Sequence, residues 1–181
     1  EYIERLCTAF RQMTLTNPFE ENCDMGPLIS ENAACRVEEQ IKHTLKQGAV
    51  CLSGGHRFQK SYFEPTILDR VTANMDVAKD MEIFGPVVPV IRFDTEEEAV
   101  TIANQTQYGL SAGVITKDYQ KGLKLAMQME SGTAVVNGCG DYRTFQTPFG
   151  GHKQSGIGTE GLLMTLDEMM LTKCVVLKQI L

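Results

Sequence analysis

Glu82 and Phe84 stand one residue apart in Met81-Glu82-Ile83-Phe84-Gly85-Pro86-Val87, just ahead of an apolar run. A carboxylate can accept two hydrogen bonds from the adjacent hydroxyls of a sugar. A neighbouring aromatic ring can pack on a flat heterocycle. A Gly85-Pro86 turn would hold both at the mouth of a sheet, where open α/β folds bind ligands. Taken alone, the pair reads more simply as a solvated glutamate and a core phenylalanine.

A second concentration of chemistry lies between Gly138 and Gly161, a stretch with seven glycines and one proline. A loop this long inside a compact domain is functional or disordered. It contains Asp141-Tyr142-Arg143, and Arg143 could grip a carboxylate or phosphate through two parallel hydrogen bonds. The competing reading is an exposed loop arginine. Tyr142, Phe145 and Phe149 could line an apolar wall. Gly156-Ile157-Gly158-Thr159-Glu160-Gly161 matches the dinucleotide pattern G-x-G-x-x-G letter for letter. Its context is wrong for a phosphate cradle. His152-Lys153-Gln154 precede it instead of a buried strand, and no strand ending in an acidic residue follows about 20 residues on.

Six cysteines could supply thiol chemistry: 7, 23, 35, 51, 139 and 174. None forms a Cys-x-x-Cys pair, and no histidine completes a zinc pattern, so no metal is expected. Cys7 falls within a helical stripe. Cys139, between two glycines, could pair with His152 as a nucleophile, but no third group is evident to orient the imidazole. The simplest reading is reduced thiols in a cytoplasmic protein.

These residues need elements to hold them. Ile3, Leu6, Cys7, Phe10 and Met13 repeat at helical spacing, giving a helix over 2–13. The pattern is already running at Glu1, which is not Met, so the chain reads as a fragment or as a processed or trimmed chain. Ser30 caps a long helix with an apolar stripe at Ala33, Ala34, Val37, Ile41 and Leu45, ended by Gly48. Strands are expected over 49–52 and 63–68, the second with Pro65 marking an edge or bulge. The run 87–93 reads as a buried strand. Asp94 and Glu97 suggest a capping box before a helix over 95–104. A strand over 112–116, a helix over 119–129 capped by Asp118, and a strand over 133–136 follow. A short helix over 162–169 and a strand over 173–177 close the chain. The alternation implies an α/β fold, an open and mostly parallel sheet with flanking helices.

Composition is that of an ordinary globular chain: 181 residues, 43% hydrophobic, 22% charged, net charge −6. An acidic chain with no basic stripe argues against nucleic acid and anionic membrane as partners. No apolar run is long enough to span a bilayer.

The two motifs, Met81 to Val87 and Pro148 to Gly161, resemble the signatures of the aldehyde dehydrogenase superfamily. Asp24 to Ser30, Phe63-Glu64-Pro65-Thr66 and Asn104 to Leu110 agree with it, and the resemblance runs colinearly through essentially all of the chain. It implies the catalytic-domain portion of such an enzyme over 1–171 and an oligomerisation strand over 172–181. It implies NAD or NADP as cofactor, with Glu82 on the nicotinamide ribose and Phe84 beside the ring. It implies a substrate loop holding Tyr142, Arg143, Phe145 and Phe149. Asp141-Tyr142-Arg143 is similar to members acting on small polar aldehydes, such as lactaldehyde or glyceraldehyde 3-phosphate. The family's reaction oxidises an aldehyde to an acid through a cysteine thiohemiacetal and thioester.

The resemblance also places that cysteine, in a Gly-Gln-x-Cys segment, and the general-base glutamate ahead of the helix that opens this chain. Neither has a counterpart here, so the chain alone is expected to be inactive. Met81 and Thr159 depart from the usual Glu and Arg. Homo-oligomerisation through Lys173 to Leu177 is expected. The alternatives are a non-enzymatic assembly module of the same descent and a Cys139-based hydrolase.

Overall fold

The computed structural model describes residues 1–178, and they fall into two compact units, with the division at Thr106/Gln107. In the first unit, α1 (Tyr2–Gln12) and α2 (Glu31–Lys46) precede β1 (Val50–Ser53), the short strands β2 (Arg57–Phe58) and β3 (Tyr62–Phe63), and β4 (Thr66–Val71). A 3-10 turn (Asp76–Ala78), β5 (Val87–Ile91) and α3 (Glu96–Asn104) complete it. The second unit holds β6 (Tyr108–Gly109), β7 (Ser111–Val114), α4 (Tyr119–Ala126), β8 (Thr133–Val136), β9 (His152–Lys153) and α5 (Leu162–Glu168).

The α/β class is as expected, but the single, mostly parallel sheet is not what forms. The strands make small open sheets: β1-β4-β5, and the pairs β2-β3, β6-β9 and β7-β8. β4 runs parallel to β5, and β7 parallel to β8 with α4 as the crossover between them. β1 runs antiparallel to β4. The chain turns back between them at Gly54 and Gly55, both at positive φ, and through the β2-β3 hairpin. Pro65 separates β3 from β4 where one strand was expected. At Gly54 a Cβ would collide with the Pro65 carbonyl, so that turn requires glycine.

The core of the first unit is α2 laid on β4. Ser30 caps the helix by accepting from the Ala33 N–H at 3.1 Å. Ala33, Ala34, Val37 and Ile41 are buried, as the stripe predicts, but the next buried residue is Thr44 rather than Leu45. Strict helical periodicity continues the stripe to 44, and the Thr44 hydroxyl is satisfied by donating to the Gln40 carbonyl at 2.8 Å. Phe63, Leu68, Val71 and Met75 pack against the helix. β4 is the middle strand, which is why Thr66, Ile67, Leu68 and Asp69 are all buried. Thr66 donates to the Glu64 carbonyl and accepts from Gly55 N–H, both at 2.8 Å. Asp69 accepts from Arg92 at 2.8 Å. β5, expected to be buried, is half-buried because it is the edge of this sheet.

Two further expectations need correction. The cap of α3 is Thr95, not Asp94: its hydroxyl accepts from Glu98 N–H at 3.1 Å, and the Glu98 carboxylate accepts from Asp94 N–H at 2.8 Å. The box is therefore the Thr95–Glu98 pair, one residue later in register. The strand expected over 173–177 is not formed. A strand exists only with a partner, and residues 171–178 have none among the described residues. Val175, Val176 and Leu177 are exposed. Residues 179–181 of the expected strand region lie outside the described residues.

Burial sets the first expected outcome. Leu68→Ala removes a fully buried side chain at the α2–β4 contact and should cost about 2–5 kcal/mol in a urea unfolding experiment. A loss below ~1 kcal/mol would show that the α2–β4 contact is not the core. A second outcome concerns acid. His43 Nε2 lies 2.6 Å from Asp76 Oδ2 and, as the main cause, holds that carboxyl below the ordinary aspartate value. A depressed carboxyl contributes stability above its unfolded pKa of about 3.9 and loses it as pH falls through the folded one. The stability difference between the native chain and His43→Ala should therefore shrink as pH is lowered from about 5 toward about 2. A difference that grows on acidification would contradict the assignment.

Candidate functional site

The segment from β4 to β5 is a strap, and its residues 81–84 alternate in exposure. Ile83 packs against the core cluster, while Glu82 and Phe84 on either side face solvent. Phe84 is 78% exposed, which rules out the core-phenylalanine reading for this chain. The Glu82 carboxylate has no hydrogen-bond or ion-pair partner among the described residues. Its backbone is held, because Gln40 Nε2 donates to the Glu82 carbonyl at 2.9 Å. Gly85 N–H reaches the Ile83 carbonyl and Val87 N–H the Gly85 carbonyl, both at 2.8 Å. A Cβ on Gly85 would approach Val37 Cγ2 to 2.7 Å, so the strap lies too close to α2 for any side chain there. Phe84 and Pro86 border a pocket of about 370 Å³ whose other wall is Met25 to Leu28. Two of the sequence stretches singled out above thus meet at one place.

A larger cavity in the same unit, about 600 Å³, is lined by Arg11, Cys51, His56 and Glu64 among others. It contains none of the expected site residues. Burial pushes the Cys51 thiol up from its ordinary pKa, as for a structural thiol.

The second unit presents the glycine-rich loop. Asn137 opens it at φ 58°, a left-handed conformation that asparagine tolerates. Its N–H donates to the Val114 carbonyl at 2.7 Å, and its side-chain oxygen accepts from Thr116 N–H at 2.8 Å. At the far end of the loop, Phe149 and Glu160 pair backbone to backbone in both directions, at 2.8 and 2.6 Å. Arg143 reaches across to this bridge. Its Nη2 lies 3.2 Å from Glu160 Oε2, and its guanidinium carbon sits 4.2 Å from the centroid of the Phe149 ring. Arg143 and Phe145 border a pocket of about 460 Å³, and Arg143 and Phe149 border another of about 360 Å³. Tyr142 is exposed and lines neither. The rejected G-x-G-x-x-G run follows β9, a two-residue exposed strand antiparallel to β6, and precedes only the short α5.

Cys139 is exposed, but its chemistry runs against nucleophilic use. The thiol donates to Asp141 Oδ1 at 2.6 Å rather than to His152. That hydrogen bond, and then the carboxylate's charge, raise its pKa above the ordinary cysteine value. A nucleophilic cysteine needs the opposite shift.

Sequence reasoning missed Gln40 and Glu160. Gln40 acts on a carbonyl 42 residues away, and nothing in a helix polar face announces that. Glu160 lies within the second motif, but its pairing with Arg143 depends on how the loop folds back. Among the described residues no group of three or more His, Cys, Asp or Glu side chains is placed to hold a metal. No helix among them is long and apolar enough to cross a membrane.

The model of the aldehyde dehydrogenase family matches residues 1–175. The chain belongs to this family. It is 41% identical over 170 residues to a lactaldehyde dehydrogenase of Methanococcus maripaludis, covering 94% of the chain and 36% of that protein. Among solved structures it resembles glyceraldehyde-3-phosphate dehydrogenase GapN of Methanocaldococcus jannaschii, complexed with NADP, with a TM-score of 0.87 and 39% identity over 93% of this chain and 36% of that one. Betaine aldehyde dehydrogenase of Staphylococcus aureus, in complex with NAD+, superposes with a TM-score of 0.89 at 34% identity, over 95% of this chain and 35% of that one. The chain thus spans about a third of the length of the relatives it matches.

The Cys139 geometry makes a direct prediction. Asp141→Asn removes both the acceptor charge and its repulsion of a thiolate. Iodoacetamide should then label Cys139 severalfold faster at mildly alkaline pH than in the native chain. An unchanged rate would mean that Asp141 does not govern the thiol.

Proposed function

We propose that this chain is the nicotinamide-side and substrate-loop portion of an NAD(P)-dependent aldehyde dehydrogenase, with the attacking cysteine and the general base supplied by a longer polypeptide. The observation that carries the reading is the strap: a carboxylate unpaired among the described residues and an exposed ring, one residue apart, on backbone fixed to the half-buried helix α2. The residues fit the cofactor. Glu82 offers two free oxygens to a ribose diol, and Phe84 offers an aromatic face to a nicotinamide ring. When bound, the dinucleotide supplies the hydride acceptor for the aldehyde carbon. Glu82 orients the ribose, and Phe84 limits the positions open to the ring and excludes water from one side.

The loop is the substrate side of the proposal. Arg143 has five N–H donors and spends one on Glu160 in the described structure, leaving others for the anionic or hydroxylated end of a small polar aldehyde. Phe145 and Phe149 supply apolar wall, and Tyr142 stands exposed on the same loop. Lactaldehyde and glyceraldehyde 3-phosphate are the substrates we favour. The lactaldehyde dehydrogenase and GapN relatives support that choice, and so does an arginine in the loop. A cytoplasmic setting belongs to the same reading, and six thiols with no disulfide are compatible with it.

One observation favours an assembly role alongside catalysis. Residues 172–178 expose Val175, Val176 and Leu177 with no strand partner among the described residues, a ready template for pairing with a second subunit. We assign 172–181 to that role and 1–171 to the catalytic portion.

The test uses the longer polypeptide, assayed with lactaldehyde and glyceraldehyde 3-phosphate against NAD and NADP. Glu82→Gln should raise the KM for the cofactor about tenfold or more, as expected for loss of charge-assisted hydrogen bonds. An unaltered KM would remove Glu82 from the cofactor site. The chain by itself should show no turnover. Its mass in sedimentation should rise with concentration, and the rise should vanish on deletion of residues 172–181. A monomer at high micromolar concentration would defeat the assembly assignment.

A further inference from the structure

Glu82 and Phe84 make little packing of their own, so their placement depends on backbone. Residues 72–86 contain only a single 3-10 turn as regular structure among the described residues. What holds this segment is a row of polar side chains on α2, beside its buried stripe. Gln40, His43 and Gln47 recur at helical intervals and share one face. Gln40 donates to the Glu82 carbonyl at 2.9 Å. His43 Nε2 lies 2.6 Å from Asp76 Oδ2. Gln47 makes a two-way bridge: its Nε2 donates to the same carboxylate at 3.0 Å, and its Oε1 accepts from Asp76 N–H at 3.2 Å. The Asp76 carbonyl then accepts from Lys79 and Met81 N–H, both at 3.0 Å. From α3, the side chain of the C-cap residue Gln105 donates to the carbonyls of Ala73 and Ala78 at 3.0 and 2.7 Å.

We propose that Gln40, His43 and Gln47 are positioning residues for the cofactor, setting through the strap where Glu82 and Phe84 are presented to NAD(P). This rests on the reading of Glu82 and Phe84 given above and adds the residues that orient them. None of the three is assigned a contact with cofactor or substrate. The argument is geometric. Gln40 holds the carbonyl of the very residue whose carboxylate meets the ribose, and without that bond the 82–83 peptide is free to rotate. Gln47 and His43 fix the start of the strap, and Gln40 fixes its functional end. The span between them turns on the Asp76 carbonyl. Burial of Val37, Ile41 and Thr44 holds α2 rigid, so the row is a fixed rail and not a set of mobile surface groups.

Two measurements separate this proposal from the reading beneath it. The first is amide hydrogen exchange in this chain, at Asp76, Lys79 and Met81 for the start of the strap and at Gly85 and Val87 for its functional end. Gln40→Met keeps the side-chain length and removes the donor, and His43→Ala removes the second anchor. Each should speed exchange in the strap about threefold to tenfold, the weight of one hydrogen bond, while β4 amides stay unchanged. His43→Gln, which can still reach Asp76, should restore most of the protection. The second is steady-state kinetics in the longer polypeptide. Gln40→Met should raise the KM for the cofactor by a similar factor and leave kcat within about twofold. Unchanged exchange in both variants overturns the anchoring. Faster exchange with an unchanged KM overturns the positioning role. If the unmodified longer polypeptide oxidises no aldehyde with NAD or NADP, the Glu82 reading fails and the cofactor half of this proposal fails with it. Exchange then still decides whether the three residues hold the strap.

Discussion

Ala34, Val37 and Ile41 of α2 lie against Phe63, Leu68 and Val71, and this contact fixes both the axis of the helix and its rotation about that axis. Turning the helix by one residue would swing a stripe of charged side chains onto β4, at a cost of several kcal/mol per buried charge. The polar face is therefore as determined as the apolar one. Gln40, His43 and Gln47 stand where they do because Val37, Ile41 and Thr44 have no other place to go. The close approach of Gly85 to Val37 comes from the same packing. A site feature in the loop-like strap is thus set by a hydrophobic choice made in the helix.

Much of the architecture was legible because it is periodic or capped. Ser30 and Asp118 each accept the hydrogen bond expected of an N-cap, and α4 links β7 to β8 as the alternating pattern requires. Failures came where tertiary context decides. The direction of β1 depends on two glycines and a hairpin whose strands are two residues long, too short for any alternation to show. The α3 cap moved by one residue because Asp94 and Thr95 are both good caps, and packing chose between them. The strand over 173–177 is legible as sequence but has no ladder to join in one chain.

The candidate site divides the same way. Glu82, Phe84 and Arg143 stand out as candidates through motifs that resemble the family's signatures; by type alone they read as readily as a solvated glutamate, a core phenylalanine and an exposed loop arginine. Their supports were not found. A glutamine that caps a distant carbonyl looks like any solvated helix residue, and a glutamate that pairs with a loop arginine is visible only once the loop has closed. The G-x-G-x-x-G run was the reverse case, an exact match with no physical content. Its preceding strand is exposed and antiparallel, and the helix that follows is only seven residues long, so no buried strand and long helix converge on a phosphate there.

The two candidate regions differ in how firmly they are held. The strap is tied by directional hydrogen bonds to a buried helix, with a glycine contact that leaves no slack. The loop is closed by the Phe149–Glu160 backbone pair, but the Arg143 side chain is held by one exposed ion pair and one cation–π contact, each contributing about 1 kcal/mol or less at a surface. The nicotinamide half is common to NAD and NADP, so a rigid carboxylate and ring suit it. Aldehydes differ among relatives in length and charge, so an arginine that can leave Glu160 for a substrate anion suits them. On the proposed reading a substrate carboxylate or phosphate takes the place of Glu160 on the Arg143 guanidinium. The stiffness of one region and the looseness of the other follow from the interactions themselves, and they match the division of labour proposed for this chain.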